Sequence, residues 1–294
     1  MADNLETKYQ QFLSIGQQAG ARYSLVTPRN IPQGLTGAKM GNRPGSSLEF
    51  MDHREYQPGD DLRRIDWSAY ARSDKLTVKL YREEVNPHVD LLIDGSRSMI
   101  LADSPKAEGL LGLAGLLAEA AANAGYSHRV WLAGSACREL VNSEHRPAMW
   151  TGFDFKYAGN PGESFTSRLG KWRDRGIRVL LSDLLWLDDP QVTLSYMAQK
   201  ATSVIVIQLL AQADVEPGRR GNVRLVDSET REVMEVFVDA SAQKRYQDRL
   251  ARHQQNWHRV CRQYGAVMVT LVADQLIKDW NIMELLRQNI LQVK

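Results

Sequence analysis

The sequence predicts an α/β fold, a mostly parallel central sheet with helices on both faces, preceded by an N-terminal extended, β-containing segment. Three observations predict it. Four compact apolar runs, HVDLLID (88–94), IRVLLSD (177–183), SVIVIQLL (203–210) and AVMVTLV (266–272), have the dense hydrophobicity of strands buried on both faces. Stretches of helical character separate these runs, and strands alternating with helices argue for parallel pairing. Before Pro87 that texture is missing. Pro28, Pro32, Gly34, Gly37, Gly41, Pro44 and Gly45 punctuate residues 23–47, which read as an extended or looped tract.

Taken in order, Leu5, Tyr9, Phe12, Leu13 and Ala19 recur at roughly helical spacing and predict an amphipathic helix over 5–21. Arg22, Arg29, Lys39 and Arg43 make the following tract locally basic, which reads as a solvated face. Gln57-Pro58-Gly59-Asp60-Asp61 is a turn leading into a short helix near 62–70. Residues 75–83 then alternate as a strand, with Leu76, Val78 and Leu80 on one parity. Past Pro87, a Leu- and Ala-rich helix spans 106–124, and short strands at 129–133 and 139–141 flank Gly134-Ser135. Helices follow at 167–175, at 189–200 with Pro190 in its first turn, at 240–264 and at 277–291. Residues 222–227 and 233–238 flank DSETRE as a hairpin. Both arms alternate polar and apolar residues, so the hairpin is expected to project from the main sheet. The organisation that results is an N-terminal helix and extended segment over 1–86, packing on a main domain over 87–294 with a hairpin insertion near 221–238.

Composition narrows the functional classes. The 294 residues carry 37 Lys+Arg against 35 Asp+Glu, a net charge of only +2, which gives no support for a general nucleic-acid or membrane-surface binder. Two cysteines, Cys137 and Cys261, exclude a disulfide scaffold and a zinc ribbon. The first twenty residues lack the basic and apolar regions of a secretory signal. The most apolar stretch, 109–125, carries Glu119 and falls short of the roughly 20 residues a membrane span needs. These features predict a cytoplasmic protein that does not insert into membranes.

In parallel α/β sheets, ligands bind beyond the carboxyl ends of the strands where strand order reverses. After the first buried run the chain reads Asp94-Gly95-Ser96-Arg97-Ser98, and the second run ends in Ser182-Asp183. Between them a loop carries Glu163-Ser164-Phe165-Thr166. Oxygen-only donors with few charges suit a hard divalent cation that keeps some water, most naturally Mg²⁺. Ser98 or Asp94 could instead simply cap the following helix. A phosphate-binding G-x-x-x-x-G-K-[ST] is absent, the position two residues after Asp94 is Ser96 rather than a second Asp, and neither serine lies in G-x-S-x-G. The six histidines, at 53, 88, 128, 145, 253 and 258, are scattered and read as surface or strand-edge residues.

The D-x-S-x-S run, with a later Thr and a later Asp, resembles the metal-ion-dependent adhesion site of von Willebrand factor A domains. The wider match is more specific. Glu49-Phe50, Arg54-Glu55-Tyr56-Gln57-Pro58-Gly59-Asp60-Asp61, Arg64-Ile65-Asp66-Trp67 and Ala71-Arg72 resemble the signature of a bacterial family known as domain of unknown function fifty-eight. So do Arg220-Gly221, Leu225 to Thr230, and Tyr246. The resemblance covers about residue 20 to the end. It implies a von Willebrand factor A-like (Rossmann-like) fold and an adaptor or chaperone-like role beside a MoxR-type AAA+ ATPase. It also implies metal ligands at Asp94, Ser96, Ser98, Thr166 and Asp183, with Ser164 as the alternative to Thr166. The Gly59–Arg72 tract reads either as a partner surface or as an ion-pair and capping cluster with Trp67 packed beneath it.

Together these readings give a non-enzymatic, metal-dependent protein-interaction module whose ion meets an acidic side chain of its partner. The alternatives are a Mg²⁺-dependent hydrolase using Asp94 and Asp183, and a metal-free structural scaffold.

Overall fold

The structure, a computed structural model, describes residues 2–26, 48–83, 87–101, 104–168, 172–218, 220–228 and 230–294. The basic tract through Arg29, Lys39 and Arg43, and Glu229 of the hairpin turn, lie outside the described residues. In chain order the elements are α1 (Ala2–Gly20), β1 (Tyr23–Leu25), β2 (Leu48–Glu55), α2 (Trp67–Ser73), β3 (Thr77–Glu83), β4 (His88–Asp94), α3 (Lys106–Asn123), β5 (Ser127–Ala133), β6 (Cys137–Glu139) and β7 (Ile177–Ser182). They continue with α4 (Pro190–Ala198), β8 (Ser203–Leu210), α5 (Gln212–Val215), β9 (Gly221–Val226), β10 (Val233–Val238), α6 (Ala240–Gln263), β11 (Val267–Val272), α7 (Ala273–Asp279), α8 (Met283–Arg287) and β12 (Leu291–Val293).

The chain divides into two units, Met1–Pro28 with Pro87–Lys294, and Arg29–Asn86. The segment 1–86 expected from sequence therefore divides: α1 and β1 belong with the large unit and the remainder is a unit of its own.

The four apolar runs form the parallel body of a six-stranded sheet in the order β11-β8-β7-β4-β5-β6, in which only the short β6 is antiparallel. HVDLLID and IRVLLSD are neighbours, as expected of two largely apolar runs, in register from Val89↔Ile177 to Ile93↔Leu181. From β4 the chain steps to β5 on one side and later returns to β7 on the other. The strand order thus reverses between β4 and β7, at whose carboxyl ends a crevice opens.

Both faces of this sheet are covered. Val89, Leu91 and Ile93 pack with Val179, Leu13 and Leu113, under α1 and α3. Leu92, Leu180 and Val206 pack with Leu194, Trp257 and Val260, under α4 and α6. Helix α3 is buried nearly all round, because the sheet lies on one side and α1 on the other. Helix α1 reaches it through glycines: a Cβ on Gly16 would stand 1.8 Å from the Gly112 carbonyl oxygen.

Three expectations need correction. Among the described residues of the helix expected over 167–175, none is α-helical. Pro161–Arg168 is a 3-10 helix, residues 169–171 lie outside the described residues, and Arg175 turns the chain at φ 61° two residues before β7 begins at Ile177. The helix expected over 277–291 breaks into α7 and α8, because Trp280 takes a left-handed conformation (φ 53°). Asn289 (φ 52°) then turns the chain into β12, which pairs with β1 at the start of the tract expected to be extended or looped. Trp67 is not packed beneath the Gly59–Arg72 tract. It is 62% exposed, its ring edge-on to Tyr70 at 6.3 Å.

The hairpin of β9 and β10 is a separate two-stranded sheet with Leu225, Met234 and Phe237 exposed, and it projects from the main sheet as its alternation predicts. In the small unit, β2 and β3 pair and the acidic residues act as caps. Asp61 accepts from the Arg63 backbone N–H at 3.0 Å, and Asp66 accepts from those of Ser68 and Ala69 at 2.9 and 3.0 Å. The Ala69 and Ser68 amides, with His53 and Lys79, hold the Asp66 carboxyl down at a pKa of about 2. Arg54 pairs with Asp60 at 2.6 Å.

The glycine contact yields a prediction. Gly16→Ala forces a methyl into the α3 backbone, and overpacking of this kind is expected to destabilise the large unit by about 3 kcal/mol. Urea denaturation checks it, and an unchanged midpoint would mean that α1 and α3 do not approach this closely.

Candidate functional site at the carboxyl edge of the sheet

Strand β4 delivers Asp94 to the crevice, and every residue of the strand is buried. Gly95 follows because a side chain there would stand 2.8 Å from the Ala133 carbonyl oxygen, to which the Gly95 N–H donates. The chain then turns on the aspartate itself: the Ser96 N–H donates to Asp94 Oδ1 at 2.8 Å. The turn brings the Ser96 and Ser98 hydroxyls within 3.0 Å of each other. On the neighbouring strand, Ser182 Oγ donates to Asp94 Oδ2 and accepts from the Leu184 N–H. Asp183 comes next, its Oδ1 accepting from the Leu185 N–H at 3.1 Å.

Four of the five residues expected from sequence thus gather at one place. Ser96, Ser98 and Asp183 line a cleft of about 440 Å³, whose wall also includes Asp227 at the hairpin turn. Asp94 lies beneath them and is 0% exposed, not at an open rim. Thr166 belongs to the 3-10 helix that starts at Pro161, a residue also lining the cleft, but the Thr166 side chain lies outside the described residues. Ser164, the alternative, is buried and donates its hydroxyl to the Pro161 carbonyl at 2.7 Å, inside the turn.

Sequence reading misses the cation of this site. Lys106, the first residue of α3, is 1% exposed, and its Nζ lies 2.9 Å from Asp183 Oδ2 and 3.4 Å from Asp214 Oδ2. Burial works against its charge, but Asp183 and Asp214 outweigh burial and hold its pKa above the ordinary lysine value. A signal for it exists in the sequence. A lysine opening an apolar helix faces the positive end of the helix dipole, and such a placement needs a specific anion. Asp214, from α5 after β8, supplies part of it and also accepts from the Ala211 N–H at 2.9 Å.

The Asp94 carboxyl is pushed up to about 7, first by burial and then by the charge of Asp183, against the hydrogen bonds from Ser182 and Ser96. Two buried carboxyls and one buried ammonium therefore share the edge, with a third carboxylate, Asp214, at its side.

The donor set can be tested against a hard cation. On the β4 side it fits: a carboxylate with two adjacent hydroxyls is the chemistry such an ion takes. On the β7 side it fits less well, because the outer oxygen of Asp183 is held by Lys106. Among the described residues no group of three or more His, Cys, Asp or Glu side chains is arranged around a metal position. His253 of α6 is half-buried with its Nε2 2.6 Å from the carbonyl oxygen of Leu184, the residue after Asp183. His88 is not at the surface: it is buried at the start of β4, at the opposite end of the strand from Asp94. Both cysteines are buried, and burial pushes the Cys261 thiol up to about 12.

A six-stranded, mostly parallel α/β sheet with a carboxylate and hydroxyl cluster at its switch point defines the class of protein. Residues 52–256 match the family described as "Protein of unknown function DUF58", and the chain belongs to that family. Uncharacterised proteins of Mycobacterium bovis and Mycobacterium tuberculosis are each 28% identical to it over 268 residues, which cover 87% of this chain and 83% of theirs. Among solved structures, the conserved hypothetical protein BatB of Bacteroides thetaiotaomicron aligns at 9% identity and a TM-score of 0.33, over 68% of this chain and 98% of its own. An aerotolerance-related membrane protein of Bacteroides fragilis aligns at 11% and 0.33, over 69% and 98%. Among the described residues of this chain, no helix is long and apolar enough to cross a membrane.

The Asp94 carboxyl makes stability depend on pH in a stated direction. Its folded value, about 7, lies above its ordinary 3.8, so the stability it confers as a neutral acid is fully present below pH of about 4. That stability is lost as pH rises toward and through about 7, because the unfolded chain releases the proton first. Asp94→Asn should flatten this decline, and urea denaturation of both proteins across that window measures it. Parallel pH profiles would show that Asp94 is not the group responsible.

Proposed function

We propose that this protein is a non-enzymatic protein-interaction module of von Willebrand factor A type, an adaptor or chaperone-like partner of a MoxR-type AAA+ ATPase. Its binding site is the cleft above Asp94. A divalent cation, most naturally Mg²⁺, held by Asp94, Ser96 and Ser98 with Asp183 and the Thr166 position in support, would present a free coordination position to an acidic side chain of the partner.

One observation carries the reading. The Asp94-Ser96-Ser98 turn and Asp183 end adjacent parallel strands at the point where strand order reverses, the place in such sheets where ligands bind. The cluster is poor in the groups catalysis needs. A hydrolase would require a base within reach of a bound water or nucleophile. Asp94 is fully buried with both oxygens engaged by Ser96 and Ser182, His253 has its Nε2 engaged with a main-chain carbonyl, and the lysine of the site is paired with two carboxylates. Binding, in contrast, needs only a shaped cleft, a charge pattern and hydroxyls that reorient, all of which support the interaction reading.

The test is co-purification with the MoxR-type ATPase of the same organism, with thermal unfolding of every variant run alongside. Ser98→Ala removes a half-buried hydroxyl at little expense to the fold and is expected to weaken the complex at least about tenfold, or roughly 1.4 kcal/mol. Chelation should do the same and Mg²⁺ should reverse it. Undiminished binding by Ser98→Ala, or binding indifferent to chelation, would remove the cleft from the interface.

A further inference from the structure

We infer that Lys106 is the resident cation of this cleft, and that a divalent ion binds here only by displacing the Lys106 ammonium from Asp183 and Asp214. The inference rests on the metal reading above and adds to it the residue that decides how tightly an ion is held.

The geometry is that of an occupied cation position. The ammonium stands between two carboxylate oxygens from different elements, at 2.9 Å from Asp183 at the end of β7 and 3.4 Å from Asp214 on α5. The side chains of Lys106 and Asp183 are 2% and 3% exposed, so solvent screens the pair weakly. A buried ammonium in this position does what a bound metal would do: it neutralises the strand-end carboxylate and ties separate elements together. It also excludes a metal. An ion on Asp94, Ser96 and Ser98 that drew on Asp183 would share that carboxylate with a second cation, at the positive end of α3.

Displacement has a route. Lys106 is among the residues lining the cleft, and a lysine carries its charge on four flexible methylenes, so a released ammonium has the volume of about 440 Å³ to turn into. The energetic balance is between two cations for one carboxylate. An ion alone contends with the loss of a buried pair, whereas an ion arriving with a partner's carboxylate brings the anion that compensates for it. Lys106 therefore makes ion and partner bind together: the wild-type chain holds Mg²⁺ weakly by itself.

The experiment uses the full chain and the metal alone. Mn²⁺ and Mg²⁺ are titrated calorimetrically into wild type, Lys106→Met and Lys106→Gln, and thermal unfolding is recorded for each with metal and with chelator. Lys106→Gln keeps an amide donor for Asp183 while removing the charge, and serves where Lys106→Met does not fold. At least tenfold tighter metal binding by either variant than by wild type is the expected result. An unfolding temperature that rises with metal in the variants and not in wild type should accompany it, and a variant that folds only with metal counts as the same result. Equal affinity in variants and wild type overturns the role of Lys106 and leaves the metal site standing. No binding by any of the three overturns both.

Discussion

The burial of β4 on both faces of the sheet is the constraint on which the site depends. Each of its seven residues is enclosed, Asp94 included, so a carboxylate must end its strand inside the protein, away from water. A buried carboxyl either takes up a proton or is surrounded by donors. Here both responses are visible. The Ser96 amide and the Ser182 hydroxyl turn toward Asp94, and its pKa nevertheless rises to about 7. The neighbouring strand repeats the problem one position later, and Lys106 answers it for Asp183 with a full charge. The cluster at the sheet edge is thus the direct consequence of placing strand-end acids in the most enclosed layer of the fold.

The sequence made the sheet legible because its strands are buried enough to be predominantly apolar. HVDLLID and SVIVIQLL coincide with β4 and β8 residue for residue, and the adjacency of β4 and β7 follows from both being central. Elements ended by backbone conformation were not legible. Nothing in the pattern of residues 277–291 marks Trp280 as left-handed, and the tolerance of asparagine for that region is too weak a signal at Asn289 alone, so two short helices and a strand read as one helix. The site divides in the same way. Its β4 and β7 residues are consecutive or nearly so along the chain and could be found by spacing. Lys106 and Asp214 are brought in by packing, from the start of a helix and from a turn after β8, 108 residues apart in the chain by their numbers. Only the awkwardness of a lysine at the head of an apolar helix hints at the pairing.

The small unit shows a different use of charge. In it Asp61 and Asp66 satisfy backbone amides at the starts of short helical turns, and Arg54 and His53 close on Asp60 and Asp66. Those contacts account for much of the run from Arg54 to Asp66 by local folding, since short helices have little packing of their own and depend on their caps. The exposed Trp67 is not explained in this way. A large aromatic held at the surface by a capped turn contributes little to the unit that carries it.

A second polar layer explains why the edge of the sheet is held in one arrangement. Gln208 is 0% exposed among the apolar residues of β8, a position that would be unfavourable for an unpaired amide. Its Nε2 donates to the Asp183 carbonyl at 2.9 Å. Its Oε1 accepts from Gln254 of α6 at 2.8 Å and from Thr270 of β11 at 3.0 Å. The main chain of Asp183 is therefore fixed from behind by three elements, while its side chain is fixed in front by Lys106. His253, one residue before Gln254 on the same helix, adds its contact with the Leu184 carbonyl. A network in which each buried member finds a partner holds its geometry more firmly than isolated pairs do. A binding site gains from such support because its own groups need not reorganise when a ligand arrives. In this protein the backbone of the strand edge is held from behind by this network, and the ammonium of Lys106, on its four methylenes, is the group that the proposed exchange would move.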